Sequence, residues 1–225
     1  MAQPLIIFGA GKIAQAASYY FERDSHYRLL AYACDAPFRT SETFLSKPLL
    51  AADDLPAAYP PGKNALFVAL GYQGINRLRA DKVAWARELG YGLASYRSPH
   101  VPGDYSLGEN SIVMDGAAIQ PAVTLGDDVF VWGGAMIGHH TQIGDHCWLT
   151  GGCAIGGASV LGAGSFVGLN ATIGHEITLG ERCLLGAHTA TSKPLPAGSV
   201  VIAADTEPHR LNADQFVRLS ACFRL

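Results

Sequence analysis

From Leu107 to Leu185 an aliphatic residue occupies every sixth position without interruption: Leu107, Val113, Ile119, Leu125, Val131, Ile137, Ile143, Leu149, Ile155, Leu161, Val167, Ile173, Leu179 and Leu185. Glycine follows directly at most of them, as in Gly126, Gly138, Gly144, Gly156, Gly162, Gly174 and Gly186. Four residues after the aliphatic comes a second inward-compatible residue, such as Ala135, Thr141, Cys147, Cys153, Ser159 or Cys183. A fixed period held over so many turns is the mark of a solenoid. Six residues are too few for a helical repeat but suit one short strand and a corner. The glycine is expected to permit tight backbone geometry there. Three such flats close a triangular coil, so that residues eighteen apart in the sequence stack on one another. No single rung buries its own apolar face; stacking neighbours does. The period predicts a parallel β-helix.

Composition narrows the class further. Of 225 residues 49% are hydrophobic and 16% charged, as expected of a globular protein with a large core. A net charge of -3 argues against a nucleic-acid partner. No apolar run reaches the length of a membrane span, and the first residues lack the pattern of a signal peptide, so no membrane insertion and a cytoplasmic location are expected. Five cysteines without a CxxC spacing suggest neither a disulfide framework nor a zinc finger. Cys147, Cys153 and Cys183 fall on the small inward position, where packing is their expected role.

Residues 1–100 read differently. Apolar runs at Leu5–Phe8, Arg28–Cys34 and Ala65–Leu70 alternate with helical patterns over Ile13–Phe21 and about Ile75 to Leu89, and Leu93–Tyr96 makes a last short strand. Strands alternating with helices imply βαβ units and a small parallel sheet, Rossmann-like in order. Gly9-Ala10-Gly11-Lys12-Ile13-Ala14 sits where a phosphate loop belongs, between the first strand and the first helix. Asp35, ending the second strand, is placed to bind a ribose hydroxyl; a tight turn with no ligand is the alternative. The expected division is 1–100 for this domain, 101–200 for the β-helix and 201–225 for a tail. A helix from Ala213 to Cys222 is expected there, capping the solenoid.

Together the two halves resemble the hexapeptide-repeat nucleotide-sugar acetyltransferases, related to the sialic acid O-acetyltransferase group. The resemblance rests on Phe8-Gly9-Ala10-Gly11-Lys12-Ile13-Ala14, Ala69-Leu70-Gly71-Tyr72, Asn76-Arg77 and Ile137-Gly138-His139-His140. It also rests on Gly168-Leu169-Asn170-Ala171-Thr172-Ile173 and Pro196-Ala197-Gly198-Ser199-Val200-Val201. It implies a left-handed coil, acetyl-CoA as co-substrate with no metal, and a homotrimer with active sites between adjacent β-helices. Trp132 and Trp148 are candidates for that interface. It further implies N-acetylation of a nucleotide-linked deoxyamino sugar in bacterial surface-glycan biosynthesis. The nucleotide is expected at Gly9, Gly11, Lys12, Asp35, Gly71, Asn76 and Arg77. The coenzyme is expected at Gly157, Asn170, His175, Gly186 and Lys193.

The catalytic candidates are His139 and His140. His139 lies two positions after Ile137, on a corner, so its ring should point outward. Imidazole is suited to take the proton of an attacking amine near neutral pH. In the family that histidine is the general base and an acidic residue follows it; here His140 follows, so another carboxylate or a backbone carbonyl is expected to orient His139. Gly157 and Ala158 should leave an open shelf between His139 and His175, which stand two coils and about 10 Å apart by strand spacing. A backbone N–H near Gly156 or Gly157 is the expected oxyanion donor, and Asp115 and Asp145 are placed to face a neighbouring subunit's histidine. O-acetylation, a zinc site of carbonic-anhydrase type and a noncatalytic nucleotide-binding module remain as alternatives.

Overall fold

A computed structural model describes residues 2–223. The N-terminal half is a six-stranded sheet built on β1 (Gln3–Phe8), β2 (Tyr27–Cys34), β3 (Thr43–Phe44), β4 (Lys47–Ala51), β5 (Ala65–Val68) and β6 (Gly92–Leu93), in the order β3-β4-β2-β1-β5-β6. All neighbours pair parallel except β3 with β4. Helix α1 (Lys12–Asp24) follows β1, the single turn α2 (Leu55–Ala58) precedes β5, and α3 (Arg77–Glu88) links β5 to β6. β1 and β5 are buried on both faces, which is why they read as unbroken apolar runs. Two features differ from the sequence reading. β4 adds a third parallel strand beyond Cys34. The expected strand at Leu93–Tyr96 divides: β6 ends the sheet, and Tyr96–Arg97 (β7) pairs with Ile112–Val113 as the first strand of the β-helix.

The remainder winds into a triangular coil with three parallel faces. Face A holds β7 and the strands at Ile112–Val113, Phe130–Val131, Trp148–Leu149, Phe166–Val167, Leu184–Leu185 and Val200–Val201. Face B runs from Ala118–Ile119 to Ala190–Thr191, and face C from Tyr105–Leu107 to Thr178–Leu179. Partners are eighteen residues apart, as in Met136↔Ala154 and Ile137↔Ile155. The hexad aliphatics and the small residues line one continuous buried core, Cys147, Cys153 and Cys183 among them.

The corners obey a rule that the hexad pattern alone does not state. The residue three places after the aliphatic adopts the left-handed conformation, as in Asn110, Asp128, Gly134, His140, His146, Gly152, Asn170 and His188. Asn, Asp, Gly and His tolerate that conformation best. The glycine directly after the aliphatic is needed for another reason than backbone freedom. A Cβ on Gly156 would lie 2.5 Å from the His175 backbone nitrogen of the next coil, so close approach of successive coils selects glycine there.

The α/β half lies on face A. Outward-pointing Ile112, Phe130 and Trp148 join the core of Leu5, Phe21, Phe67 and Tyr96. Phe130 stacks on Trp148 at 4.8 Å and on Phe67 at 5.7 Å. Trp148, only 2% exposed, therefore belongs to a junction within the chain rather than to a subunit interface, and Trp132 packs partly buried beside it.

A buried ion pair crosses this junction. Arg79 of α3 and Asp128 of a C/A corner are both 0% exposed and meet at 2.8 Å. Burial lowers the guanidinium pKa from its ordinary value, and Asp128 pulls it back up. Each remaining polar atom is engaged. Arg79 also donates to Asn76 Oδ1 and to the carbonyls of Asp128 and His146, and its guanidinium lies 4.5 Å from the Phe130 ring centroid. Asp128 further takes hydrogen bonds from Asn110 and from the His146 ring. Asn110 in turn pairs with both backbone groups of Val68 in β5.

Helix α4 (Ala213–Phe223) occupies the expected position, with Phe216, Val217 and Leu219 exposed on it. Among the described residues no helix is long and apolar enough to cross a membrane.

Asp128→Ala strands a buried guanidinium and should cost about 3–5 kcal/mol of unfolding free energy in urea titration, whereas replacing both Arg79 and Asp128 by apolar residues should cost less. Burial raises the thiols of Cys147 and Cys153 to about 12 and also raises Cys34. These three should therefore resist a disulfide reagent in the native protein and react only after denaturation.

Candidate active site

The B/C edge of the coil carries His139, His140 and His175. His139 occupies the corner after Ile137, and Gly157, His175 and Lys193 follow it on the same edge, one coil apart each, by the register of face B. His139, His140, His175 and Lys193 are exposed. Gly157 is buried, because the His139 ring leans over it: a Cβ at Gly157 would meet His139 Cε1 and Nε2 at 2.9 Å each. The expected open shelf at this glycine is therefore filled by imidazole.

His139 is oriented by its own neighbour. Its Nδ1 lies 3.1 Å from Nδ1 of His140, and the two rings meet edge to face. One ring must donate and the other accept. With His139 donating, its Nε2 keeps a lone pair and points away from the pair, which is the state a general base needs. His140 reaches this position because its left-handed backbone turns the side chain back beside its neighbour. The His139 backbone is pinned as well, its N–H donating to Gln120 Oε1 at 2.9 Å.

The ring of His175 approaches Gly157 from the other side, its Nδ1 accepting the Gly157 N–H at 3.0 Å. The Gly156 N–H donates to the Ile173 carbonyl and the Ala158 N–H to that of His139. The expected backbone oxyanion donor at Gly156 or Gly157 is thus already spent. Asp115 and Asp145 are also committed within the chain. Asp115 pairs with Arg23 at 2.7 Å and with Ser98, and the Arg23 hydrogen bond holds its carboxyl below the usual range. Asp145 accepts the Asp127 N–H. Among the described residues no group of three or more His, Cys, Asp or Glu is placed to hold a metal. Asn170 and Gly186 fall on the A/B edge, away from the histidine edge.

The nucleotide candidates gather at the C-terminal end of the parallel sheet, with exceptions. Gly9 has φ +136° and a Cβ there would lie 2.7 Å from the Ala69 carbonyl, so this glycine lets β1 and β5 end side by side. Gly11 caps α1 and borders open space, and Lys12 opens the helix with its side chain exposed. Free N–H groups of a first helical turn beside a lysine suit an anionic group. Asp35 is engaged by Lys82 Nζ at 2.5 Å. Gly71 lies against the Gln73 side chain. Asn76 has a different task. It is 1% exposed, donates to the carbonyls of Gly164 and Ser165 and accepts from Arg79, so its amide serves the junction and has nothing left for a ligand. Arg77 instead lines a crevice of about 360 Å³ with His146 and Arg182, between α3 and the C/A edge. The Arg79–Asp128–His146 network escapes sequence reading, because a charged residue on a polar helix gives no sign of burial.

No family model and no curated protein sequence matches the chain. Solved structures do. The perosamine N-acetyltransferase from Caulobacter crescentus, with CoA and GDP-perosamine bound and one histidine replaced by asparagine, is 25% identical with a TM-score of 0.80, covering 89% of this chain and 93% of that one. The fold is that of the left-handed β-helix sugar N-acetyltransferases. The acetyltransferase domain of PglB from Neisseria gonorrhoeae FA1090 has 22% identity and a TM-score of 0.78, over 88% of this chain and 95% of its own. WeeI from Acinetobacter baumannii AYE has 17% identity and a TM-score of 0.76, over 89% and 97%. The correspondence spans both halves, so the α/β half and the coil occur together in these structures.

Gly157→Ala tests the ring arrangement directly. The added methyl must displace the His139 ring, so the imidazole resonances of His139 and His175 should shift in NMR spectra. The thermal midpoint should move little, since Gly157 needs no left-handed backbone.

Proposed function

We propose that this protein transfers the acetyl group of acetyl-CoA to an amino group of a nucleotide-linked deoxyamino sugar in the cytoplasm, for surface-glycan synthesis. The observation that carries this reading is the His139–His140 pair on the exposed edge of a coil. Its fold matches an N-acetyltransferase holding CoA and a GDP-linked amino sugar. In a second structure of that enzyme with the same ligands, the histidine is replaced by alanine.

In the transfer, the sugar amine attacks the thioester carbonyl carbon. His139 Nε2 takes the proton that the nitrogen sheds, and the imidazolium so formed keeps its Nδ1–H on His140 Nδ1. The tetrahedral adduct collapses with cleavage of the C–S bond, and the thiolate leaves, to be protonated as CoA. A neutral imidazole behind the base stabilises the imidazolium less than a carboxylate would. That arrangement suits an amine, which is nucleophilic before it loses its proton, better than a hydroxyl. His140 is thus a positioning residue and His139 the base.

Residues 1–100 are assigned to the nucleotide, with Gly9, Gly11 and Lys12 at its phosphates and Gly71 beside them. Residues 101–200 are assigned to acetyl-CoA, with His175 and Lys193 on the histidine edge and Asn170 and Gly186 on the A/B edge, while Gly157 lies beneath the His139 ring. This split supports a homotrimer. Tyr72, next to Gly71, lies against Trp148 and Phe166 of face A. His139 stands on the B/C edge, across the coil from that face. A sugar whose nucleotide is held in one subunit therefore meets the histidine of another, and the coenzyme lies between two coils with one edge from each.

The deciding experiment is thiol release from acetyl-CoA against a panel of UDP-, dTDP- and GDP-linked 3- and 4-amino sugars. Turnover of one member is the expected result, and His139→Ala should lower its kcat by about 10²–10⁴-fold. Coenzyme binding without turnover on any amine, but with turnover on a hydroxyl acceptor, would replace this reading by O-acetylation.

A further inference from the structure

Three successive amides at the middle corner of the histidine edge are already engaged. Gly156, Gly157 and Ala158 give their N–H groups to Ile173, His175 and His139 respectively. An acyl carbonyl seated beside His139 Nε2 would develop negative charge on its oxygen with none of these three amides to receive it. The hydrogen bond from Gly157 nevertheless fixes the state of its acceptor. An imidazole that accepts an N–H at Nδ1 carries no proton there, so the neutral ring of His175 must carry its proton on Nε2. His175 is exposed and borders the same glycine that His139 covers.

We infer that His175 is a catalytic residue of the acyl transfer, its Nε2–H donating to the thioester oxygen as that oxygen becomes an oxyanion, while the Gly157 N–H locks the ring in the donating tautomer. This rests on the acetyl-transfer reading above and deepens it. The base and the oxyanion donor are then two imidazoles that each border one glycine. His139 gains the proton of the amine; His175 exchanges none. As the oxygen's charge grows, the Nε2–H bond strengthens, and Nδ1 becomes a better acceptor for the Gly157 N–H, so the two hydrogen bonds reinforce one another. Glycine at position 157 serves both imidazoles. Its missing side chain leaves room for the His139 ring, and its N–H sets the tautomer of His175.

The test is steady-state kinetics of His175→Ala and His175→Gln on the sugar that the wild type acetylates, together with ¹⁵N spectra of the imidazoles of the full-length wild-type protein. The alanine variant should lose about 10²–10³-fold in kcat, the range for removal of one oxyanion donor, with the KM for acetyl-CoA changed far less. Glutamine, which restores an N–H donor, should recover part of the loss. The His175 signals should be those of a ring protonated at Nε2 alone. A raised KM for acetyl-CoA at unchanged kcat would leave His175 as a coenzyme contact alone and overturn the inference, as would a ring protonated at Nδ1. If the wild type releases no thiol with any acceptor, the acetyl-transfer reading itself falls. An active wild type with a fully active His175→Ala removes only the role of His175.

Discussion

The contact between Arg79 and Asp128 joins two structures that follow different folding rules. On one side is a parallel sheet whose order is set by crossover helices, and on the other a coil whose order is set by a six-residue period. Neither side alone satisfies these charges. Arg79 sits on a helix with little apolar surface of its own, and Asp128 sits on a corner that would otherwise face water. Once the pair is buried, its unmet hydrogen bonds recruit Asn76, Asn110 and His146, and the rings of Phe130 and Trp148 close over the guanidinium. Register between the halves is thereby fixed more strictly than apolar packing requires, since a slipped interface would leave a buried charge without a partner.

The junction also orients the proposed chemistry without taking part in it. Face A is covered by the chain's own α/β half, which leaves the opposite edge for reaction. Along that edge each residue is held by strands on both sides, and the corners differ only in what they display. A histidine pair stands at one level, a glycine covered by the His139 ring at the next and a third imidazole beyond it. They stand on backbone that is rigid because the core beneath is continuous.

Much of this is legible in the sequence, and the boundary of legibility is physical. The hexad period reveals which residues point inward, so the coil, the buried cysteines and the outward placement of His139 all follow from counting. The first βαβ unit is equally plain, because β1 ends at a glycine pair that opens a helix. A period cannot say which outward residues are covered by another part of the chain. Trp148 therefore looks like a subunit contact until face A is seen under the α/β half. Two-residue strands such as Tyr96–Arg97 are too short to reveal their sheet. Arg79 is invisible as a buried residue because its helix is polar on average. The partnership of His139 and His140 depends on a left-handed corner that turns adjacent side chains toward each other, and neighbours in sequence are ordinarily read as facing apart.

The repeat of eighteen residues per coil makes spacing along the histidine edge a matter of whole steps. Moving one group relative to another within the coil requires adding or removing a full turn, about 4.8 Å at a time. A single inserted residue would instead carry every later side chain around the prism. Such a scaffold can change what is displayed at each level by substitution but cannot make fine adjustments of distance by changing loop length. Close fitting of a reacting group is left to the rotation of side chains, such as the His139 and His175 rings that meet at Gly157.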